Sequence, residues 1–133
     1  MPDWDLAPPS RGRILVADDE PHIRRILTTL LETAGYEVHP TSDGTGAMEA
    51  LAGDTPYRMA LLDIMMPGFT GLEILKRLRS LPHREDLPVV ILTAKGQDAD
   101  RKAAFDLGAN EFLTKPFSPK KLLARIRDLI ESA

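Results

Sequence analysis

Five short apolar runs alternate with five segments of helical periodicity, and this alternation restricts the chain to very few folds. The apolar runs are residues 13–17, 36–40, 59–63, 88–92 and 111–114. The first, third and fourth runs are almost continuously apolar, which is typical of strands buried on both faces of a parallel sheet. Regular alternation of strand and helix predicts a parallel sheet with right-handed crossovers and helices on both sides.

The helical segments carry apolar stripes and recognisable end signals. In the first segment apolar residues recur at helical spacing from Ile23 to Ala34, and Gly35 follows as a stop signal. Weaker patterns cover residues 45–52, 72–81 and 98–107, and the last helix starts at Ser118-Pro119. We therefore expect an α/β fold, a doubly wound five-stranded parallel sheet in the order 2-1-3-4-5 with helices on both faces.

The length of 133 residues is that of one domain. Residues 1–12 contain three prolines and no periodic apolar pattern, so we expect an N-terminal tail there and one folded domain over residues 13–133.

Composition excludes several classes of site. The absence of cysteine excludes disulfides, thiolate metal sites and thiol catalysis. A net charge of -3 argues against a broad basic surface for nucleic acid.

No apolar run reaches the ~20 residues that a membrane-spanning helix needs. The first residues show neither a basic n-region nor an apolar h-region of a signal peptide. We therefore expect a cytoplasmic protein without a membrane partner.

Five polar side chains follow the predicted strands. Asp18 and Asp19 follow the first strand, Asp63 the third, Thr93 the fourth and Lys115 the fifth. Doubly wound sheets bind ligands at this carboxyl edge, where the first and third strands are neighbours in the predicted order. Clustered carboxylates need a compensating cation, and an all-oxygen site without His or Cys suits Mg2+.

A divalent cation, an ammonium group and a hydroxyl around one carboxylate are the groups that stabilise a phosphoryl group in transfer. Asp63 has no other obvious role and is the candidate nucleophile. Any one of these aspartates alone is more often a helix cap or a turn residue, so the inference depends on all five groups occurring together.

Four motifs in order carry a family resemblance over about residues 13 to 130. They are Asp18-Asp19, Asp63-Ile64-Met65-Met66-Pro67-Gly68, Leu92-Thr93-Ala94 and Thr114-Lys115-Pro116-Phe117. The chain resembles the CheY-like receiver domain of two-component response regulators. The resemblance implies that Asp63 accepts a phosphoryl group from the phosphohistidine of a sensor histidine kinase or a histidine phosphotransfer protein.

The resemblance also implies the roles of the remaining site residues. Asp18, Asp19, Asp63 and the backbone carbonyl of Met65 would position Mg2+, directly or through water. Lys115 would pair with the phosphoryl oxygens, and the Lys115-Pro116 bond would be cis.

Two further residues would form the switch. Thr93 would move to hydrogen-bond the phosphoryl group, and Phe112 would rotate inward as it does so. The resulting surface change would control a downstream protein partner.

Three departures from the family pattern lead to further expectations. Phe112 lacks the hydroxyl of the tyrosine frequent at that position, so its inward state rests on packing. Met65 and Lys95 flank the path of the hydrolytic water in the family and are poorly suited to orient it, which suggests a slowly hydrolysing phosphoryl group. Ala103 and Lys121 replace residues that pair across dimers of related transcription factors, so we expect a monomer or a weak phosphorylation-dependent dimer.

The expected function is a phosphorylation switch rather than an enzyme, with transfer and hydrolysis of its own phosphoryl group as its only chemistry. The apolar stripe of the last helix ends at Ile130, close to residue 133, which leads us to expect a stand-alone or truncated receiver without an output domain, and no nucleic acid partner for these residues.

Three alternatives share the fold or the site chemistry. A haloacid dehalogenase-type phosphatase needs an acid two residues after the nucleophile, where this chain has Met65. A phosphorylation-independent interaction module would not require Asp63, Thr93 and Lys115. A flavin-binding module needs a phosphate-cradling loop after the first strand, where Asp18 and Asp19 would repel phosphate.

Overall fold

The structure of the chain is a computed structural model that describes residues 10–94 and 98–131. It contains β1 (Arg13–Ala17), α1 (Pro21–Thr33), β2 (Glu37–Thr41), α2 (Gly44–Ala52), β3 (Met59–Leu62), α3 (Gly71–Leu78), β4 (Val89–Thr93), α4 (Asp98–Asp106), β5 (Glu111–Thr114) and α5 (Pro119–Glu131). Most of the expected N-terminal tail and the expected role of Lys95 lie outside the described residues.

The five strands form one parallel sheet in the order β2-β1-β3-β4-β5, which confirms the predicted fold class. Alternate residues of each strand feed two apolar cores. Leu15 of β1 joins a core with α2, α3 and α4, whereas Ile14 and Val16 join a core with α1 and α5. The sheet is therefore covered by helices on both sides, and its central strands β1, β3 and β4 are buried along almost their whole length.

Side-chain hydrogen bonds cap the starts of α2 and α3. The Asp43 carboxylate accepts a hydrogen bond from the Gly46 amide at 2.7 Å and caps α2. Thr70 and Glu73 form a capping box at the start of α3, with each side chain accepting the other's backbone N–H. These caps fix α2 and α3 beside the loops that lead out of the strands.

The third helix ends at Leu78, three residues before the predicted end at Leu81. The Ser80 hydroxyl donates to the Arg77 carbonyl at 2.7 Å, and the Arg79 guanidinium donates to the carbonyl of Leu87 at 2.9 Å. These side chains bind carbonyls in place of the next helical turn. Leu81 still packs against the core, which explains why the apolar pattern extends past the helix.

The residues that follow β1, β3, β4 and β5 all lie at the carboxyl edge of the sheet, as the topology requires. Among residues 10–94 and 98–131, no helix is both long and apolar enough to cross a membrane.

Candidate functional site

Three buried charged side chains from different strand ends meet at the carboxyl edge of the sheet. The Lys115 ammonium lies 2.8 Å from Asp18 Oδ2 and 2.9 Å from Asp63 Oδ2. Asp18 is 1% exposed and Asp63 is 4% exposed. The structure therefore brings together three of the side chains that the sequence placed at the strand ends.

Backbone hydrogen bonds continue past the strands and hold these residues in position. The Asp63 amide donates to the Ala17 carbonyl at 3.0 Å, and the Lys115 amide donates to the Thr93 carbonyl at 3.0 Å. A Cβ atom on Gly71 would lie 2.3 Å from the Asp63 carbonyl oxygen, so only glycine lets α3 start this close to Asp63. The backbone around the candidate phosphoacceptor is fixed on both sides by strand pairing and by this close approach.

Burial and ion pairing raise the pKa values of Asp18 and Lys115, respectively. The raised value favours the neutral form of Asp18 and the charged form of Lys115. Desolvation raises the pKa of Asp18 above its ordinary value, although hydrogen bonds from Lys115 and from the Glu20 amide lower it. Burial alone would lower the pKa of Lys115, but its hydrogen bonds to Asp18, Asp63 and Glu20 outweigh burial and raise it. Lys115 is therefore a permanent cation at physiological pH, and it compensates two buried carboxyl groups.

A third carboxylate completes the acidic group. Oxygens of Asp18, Glu20 and Asp63 all lie within 4.8 Å of one another, and Glu20 Oε1 lies 3.0 Å from the Lys115 ammonium. The sequence interpretation did not include Glu20. The sequence feature that could have indicated Glu20 is an aspartate two residues before it, which favours a turn. In the structure Asp18 Oδ1 accepts a hydrogen bond from the Glu20 amide at 2.9 Å.

Asp19, which the sequence interpretation placed among the metal-positioning residues, is exposed and lies outside this acidic group. The donor set of the group nevertheless fits Mg2+, because it consists of hard carboxylate oxygens from two buried residues and one exposed residue. Asp18, Glu20 and Asp63 are the described side chains that would hold such an ion.

Met65 lies beside the acidic group. Its backbone N–H donates to Asp63 Oδ1 at 3.3 Å, while its side chain is 51% exposed. This amide is a hydrogen-bond donor to the candidate phosphoacceptor, and the exposed thioether projects from the loop that follows it.

The two expected switch residues occupy the neighbouring strands β4 and β5. Thr93 is buried at the end of β4, beside Thr114 in the sheet register. Phe112 is fully buried in the core shared with α2, α3 and α4, and the Arg101 guanidinium of α4 lies 5.2 Å from its ring centroid. Phe112 thus occupies an inward position, packed by apolar side chains and covered by a cation.

One further expected feature is present in the structure, because the Lys115-Pro116 peptide bond is cis, as the resemblance implied. Two other contacts were not predicted. The Arg24 guanidinium of α1 donates to the Asp18 backbone carbonyl at 2.7 Å. Arg125 and Glu111 form an ion pair of 2.7 Å within the chain.

Comparison with known proteins agrees with this fold. The family model described as the response regulator receiver domain matches residues 14–127. An uncharacterised transcriptional regulatory protein, YkoG of Bacillus subtilis, is 44% identical over 117 residues, which are 88% of this chain and 50% of that protein. The CpxR homolog of Haemophilus influenzae is 38% identical over 119 residues, 90% of this chain and 50% of that protein. The chain thus spans about half the length of the curated relatives it matches.

Solved structures show the same fold. A Francisella response regulator receiver domain has a TM-score of 0.83 and 30% identity, covering 91% of this chain and 98% of its own. A CheY-like receiver domain protein of Methanospirillum hungatei has a TM-score of 0.85 and 26% identity, covering 91% of this chain and 94% of its own. A receiver domain of a sensor histidine kinase of Pseudomonas aeruginosa, with a magnesium ion coordinated in its active-site cleft, has a TM-score of 0.82 and 26% identity, covering 90% of this chain and 98% of its own.

The ordered strand-end motifs, the 2-1-3-4-5 sheet and the match over residues 14–127 lead to one conclusion. This chain belongs to the family of response regulator receiver domains.

Proposed function

We propose that this domain accepts a phosphoryl group on Asp63 from a phosphohistidine of a sensor histidine kinase or a histidine phosphotransfer protein. The observation that carries the proposal is the Lys115 ammonium, which bonds both Asp63 and Asp18 from the end of β5. An Asp63 oxygen forms the new bond to phosphorus while the phosphorus–nitrogen bond of the donor breaks. Lys115 is placed to balance the negative charge that the phosphoryl oxygens bring to this edge.

The residues around Asp63 suit a magnesium-dependent reaction. Mg2+, when bound, neutralises charge on the phosphoryl oxygens and draws them toward the acceptor. Asp18 and Asp63 of the acidic group are proposed to hold it together with Asp19 and the Met65 carbonyl, which the family motif adds, and Glu20 places a further carboxylate in the group. The related Pseudomonas aeruginosa receiver domain, with its magnesium ion in the active-site cleft, supports this assignment.

The proposed output is a change at the surface of α4, β5 and α5. Thr93 lies at the end of β4, one strand from Asp63, and is the hydroxyl proposed to bind the new phosphoryl group. Phe112 of β5 contacts Arg101 of α4, and Thr93 lies on the neighbouring strand β4. A movement of Thr93 would therefore reach the surface of α4 and β5 through side-chain packing. The domain is then a two-state element whose populations depend on phosphorylation, as a monomer or a weak phosphorylation-dependent dimer.

The names of the curated relatives suggest which class of protein this domain controls. Both are named as transcriptional regulatory proteins, and this chain matches half of each. We infer that the domain controls a transcriptional regulator through protein contacts of its own surface, in the cytoplasm. Residues 13–133 are the proposed domain, and any contact with DNA is assigned to the other half of such a regulator.

The alternative of a catalytic phosphatase is disfavoured by the side chain two residues after Asp63. A leaving-group acid is required at that position, and Met65 has no proton to donate. The only turnover we propose is the transfer to Asp63 and the later hydrolysis of the aspartyl phosphate.

Loading with acetyl phosphate and Mg2+ tests the proposal directly. We expect intact-mass spectrometry to show the addition of one phosphoryl group that is absent without Mg2+ and absent in Asp63→Asn. Beryllofluoride with Mg2+ should produce the same change in the amide NMR spectrum near Thr93 and Phe112 as phosphorylation. Equal labelling of the wild type and Asp63→Asn would contradict Asp63 as the acceptor, and no labelling with either reagent would favour a phosphorylation-independent module.

A further inference from the structure

Met65 is the most exposed large apolar side chain in residues 10–94 and 98–131, at 51% exposure. The other described methionines are shielded: Met59 is fully buried, Met66 is 8% exposed and Met48 packs against the core. Methionine sulfur is oxidised where solvent reaches it, so burial should separate these residues in their reactivity. Met65 is therefore the most exposed of the four described methionines, with Met48 partly buried and Met59 and Met66 buried.

This thioether belongs to the loop that holds the candidate phosphoacceptor. The Met65 amide donates to Asp63 Oδ1, and the next residue, Met66, turns back into the core. Any chemical change of the Met65 side chain thus occurs on the exposed residue whose backbone N–H contacts Asp63, while Asp18 and Asp63 themselves are buried.

Oxidation by a peroxide would change this side chain from apolar to polar. A sulfur lone pair attacks one peroxide oxygen, the O–O bond breaks, and the second oxygen leaves as water. Sulfur is oxidised by two electrons and the peroxide is reduced by two. The product is a sulfoxide, whose oxygen accepts hydrogen bonds and which methionine sulfoxide reductases convert back to the thioether.

We propose that Met65 is a peroxide-sensitive modification site, and that its sulfoxide shortens the lifetime of the phosphoryl group on Asp63. A thioether is only a weak hydrogen-bond acceptor, so the unmodified Met65 side chain holds little ordered water near Asp63. A sulfoxide oxygen at the same place retains water next to the aspartyl phosphate, where water is the reactant of hydrolysis. The second part of this proposal rests on the proposed function, and the first part does not.

Peptide mapping after hydrogen peroxide treatment tests the first part. We expect Met65 to gain one oxygen several-fold faster than Met48, Met59 or Met66, and to lose it on treatment with methionine sulfoxide reductases. Unfolding the protein in urea before treatment should remove the difference. Equal oxidation of Met65 and Met66 in the folded protein would overturn the proposed site.

Phosphoryl decay tests the second part. Each protein is treated with peroxide, freed of it with catalase, loaded with acetyl phosphate and Mg2+, and compared with its own untreated sample. We expect several-fold faster decay after treatment of the wild type and of Met66→Leu, and no effect of treatment in Met65→Leu. Restoration of the slow decay by the reductase would complete the cycle.

The outcomes separate this inference from the proposed function. Unchanged decay in wild-type protein that carries the Met65 sulfoxide overturns the effect on lifetime and leaves Asp63 as the acceptor. Absence of any phosphoryl group on Asp63 overturns both the proposed function and the effect on lifetime, whereas the oxidation map still decides whether Met65 is the modified residue.

Discussion

Lys115 and Asp63 form a 2.9 Å ion pair although their strands are separated in the sheet by β4. The long lysine side chain crosses the end of β4 and reaches the Asp18 carboxylate as well, at 2.8 Å. One cation thereby connects the ends of β1, β3 and β5. The charge balance of the acidic group depends on a residue from the edge strand β5, next to the surface proposed to change on phosphorylation.

Replacing Lys115 with methionine should impair phosphoryl loading. The variant leaves Asp18 and Asp63 without their shared cation and removes the charge that faces the incoming phosphoryl oxygens. Loss of one such electrostatic group costs on the order of 100-fold in rate, and we expect a reduction of that order in acetyl phosphate labelling. Lys102→Met is the matched control, because Lys102 pairs with Asp106 in an exposed ion pair on α4. Equal labelling rates for the two variants would contradict the role of Lys115.

Asp18→Asn should stabilise the metal-free protein at neutral pH. The pKa of Asp18 is raised in the folded state, mainly by burial, so the folded state holds this proton more tightly than the unfolded state. Ionisation of Asp18 therefore reduces stability as the pH rises from the ordinary value of 3.8 through the higher folded pKa. With EDTA present, we expect Asp18→Asn to have a higher free energy of unfolding than the wild type at pH 7, and this difference to shrink toward zero below pH 3.8. A difference that grows as the pH falls, measured by urea titration, would contradict the prediction.

Paired variants at Asp19 and Glu20 should define the metal-positioning residues. Asp19 is proposed from the family motif, whereas Glu20 lies in the acidic group with its carboxylate on Lys115. We expect Asp19→Asn to weaken Mg2+ binding strongly because Asp19 is a proposed ligand, and Glu20→Gln to weaken it only a few-fold because the Glu20 carboxylate pairs with Lys115. Isothermal titration with Mg2+ provides the comparison. A larger loss in Glu20→Gln would assign the ligand role to Glu20.

Features that follow from the alternation of strands and helices are predictable from the sequence. Contacts that depend on the path of loops are not. Burial of β1 and β3 is visible as continuous apolar runs, and the sheet order then places Asp18, Asp63 and Lys115 at one edge. The place of Glu20 depends on a turn made by the Asp18 side chain, which no periodicity records. The contacts of Arg84 are not predicted for a related reason, because its partners are carbonyl groups about thirty positions away, at the end of α2 and in the segment that follows it.

Arg84→Met should destabilise the fold although Arg84 is not one of the candidate site residues. The buried Arg84 guanidinium donates to the carbonyls of Leu51, Gly53 and Thr55 and lies 5.2 Å from the ring centroid of Tyr57. Hydrogen bonds from a charged donor are worth more than neutral ones, and we expect a loss of about 3 kcal/mol in the free energy of unfolding.

Arg77→Met is the control for Arg84→Met. Arg77 is exposed and stacks over Phe69 at 4.6 Å, so its loss should cost below about 1 kcal/mol in the same urea titrations. Equal losses for the two variants would show that the carbonyl contacts of Arg84 contribute little.

Met65→Asn should shorten the life of the phosphoryl group on Asp63. The exposed thioether of Met65 offers water no useful hydrogen bond, whereas an asparagine amide both donates and accepts and is able to orient water beside the aspartyl phosphate. We expect a several-fold faster decay, followed by intact-mass spectrometry after acetyl phosphate is removed. Met66→Leu, a change at the buried neighbour, should decay like the wild type. Decay of Met65→Asn at the wild-type rate would mean that the side chain at this position does not control access of water to the phosphoryl group.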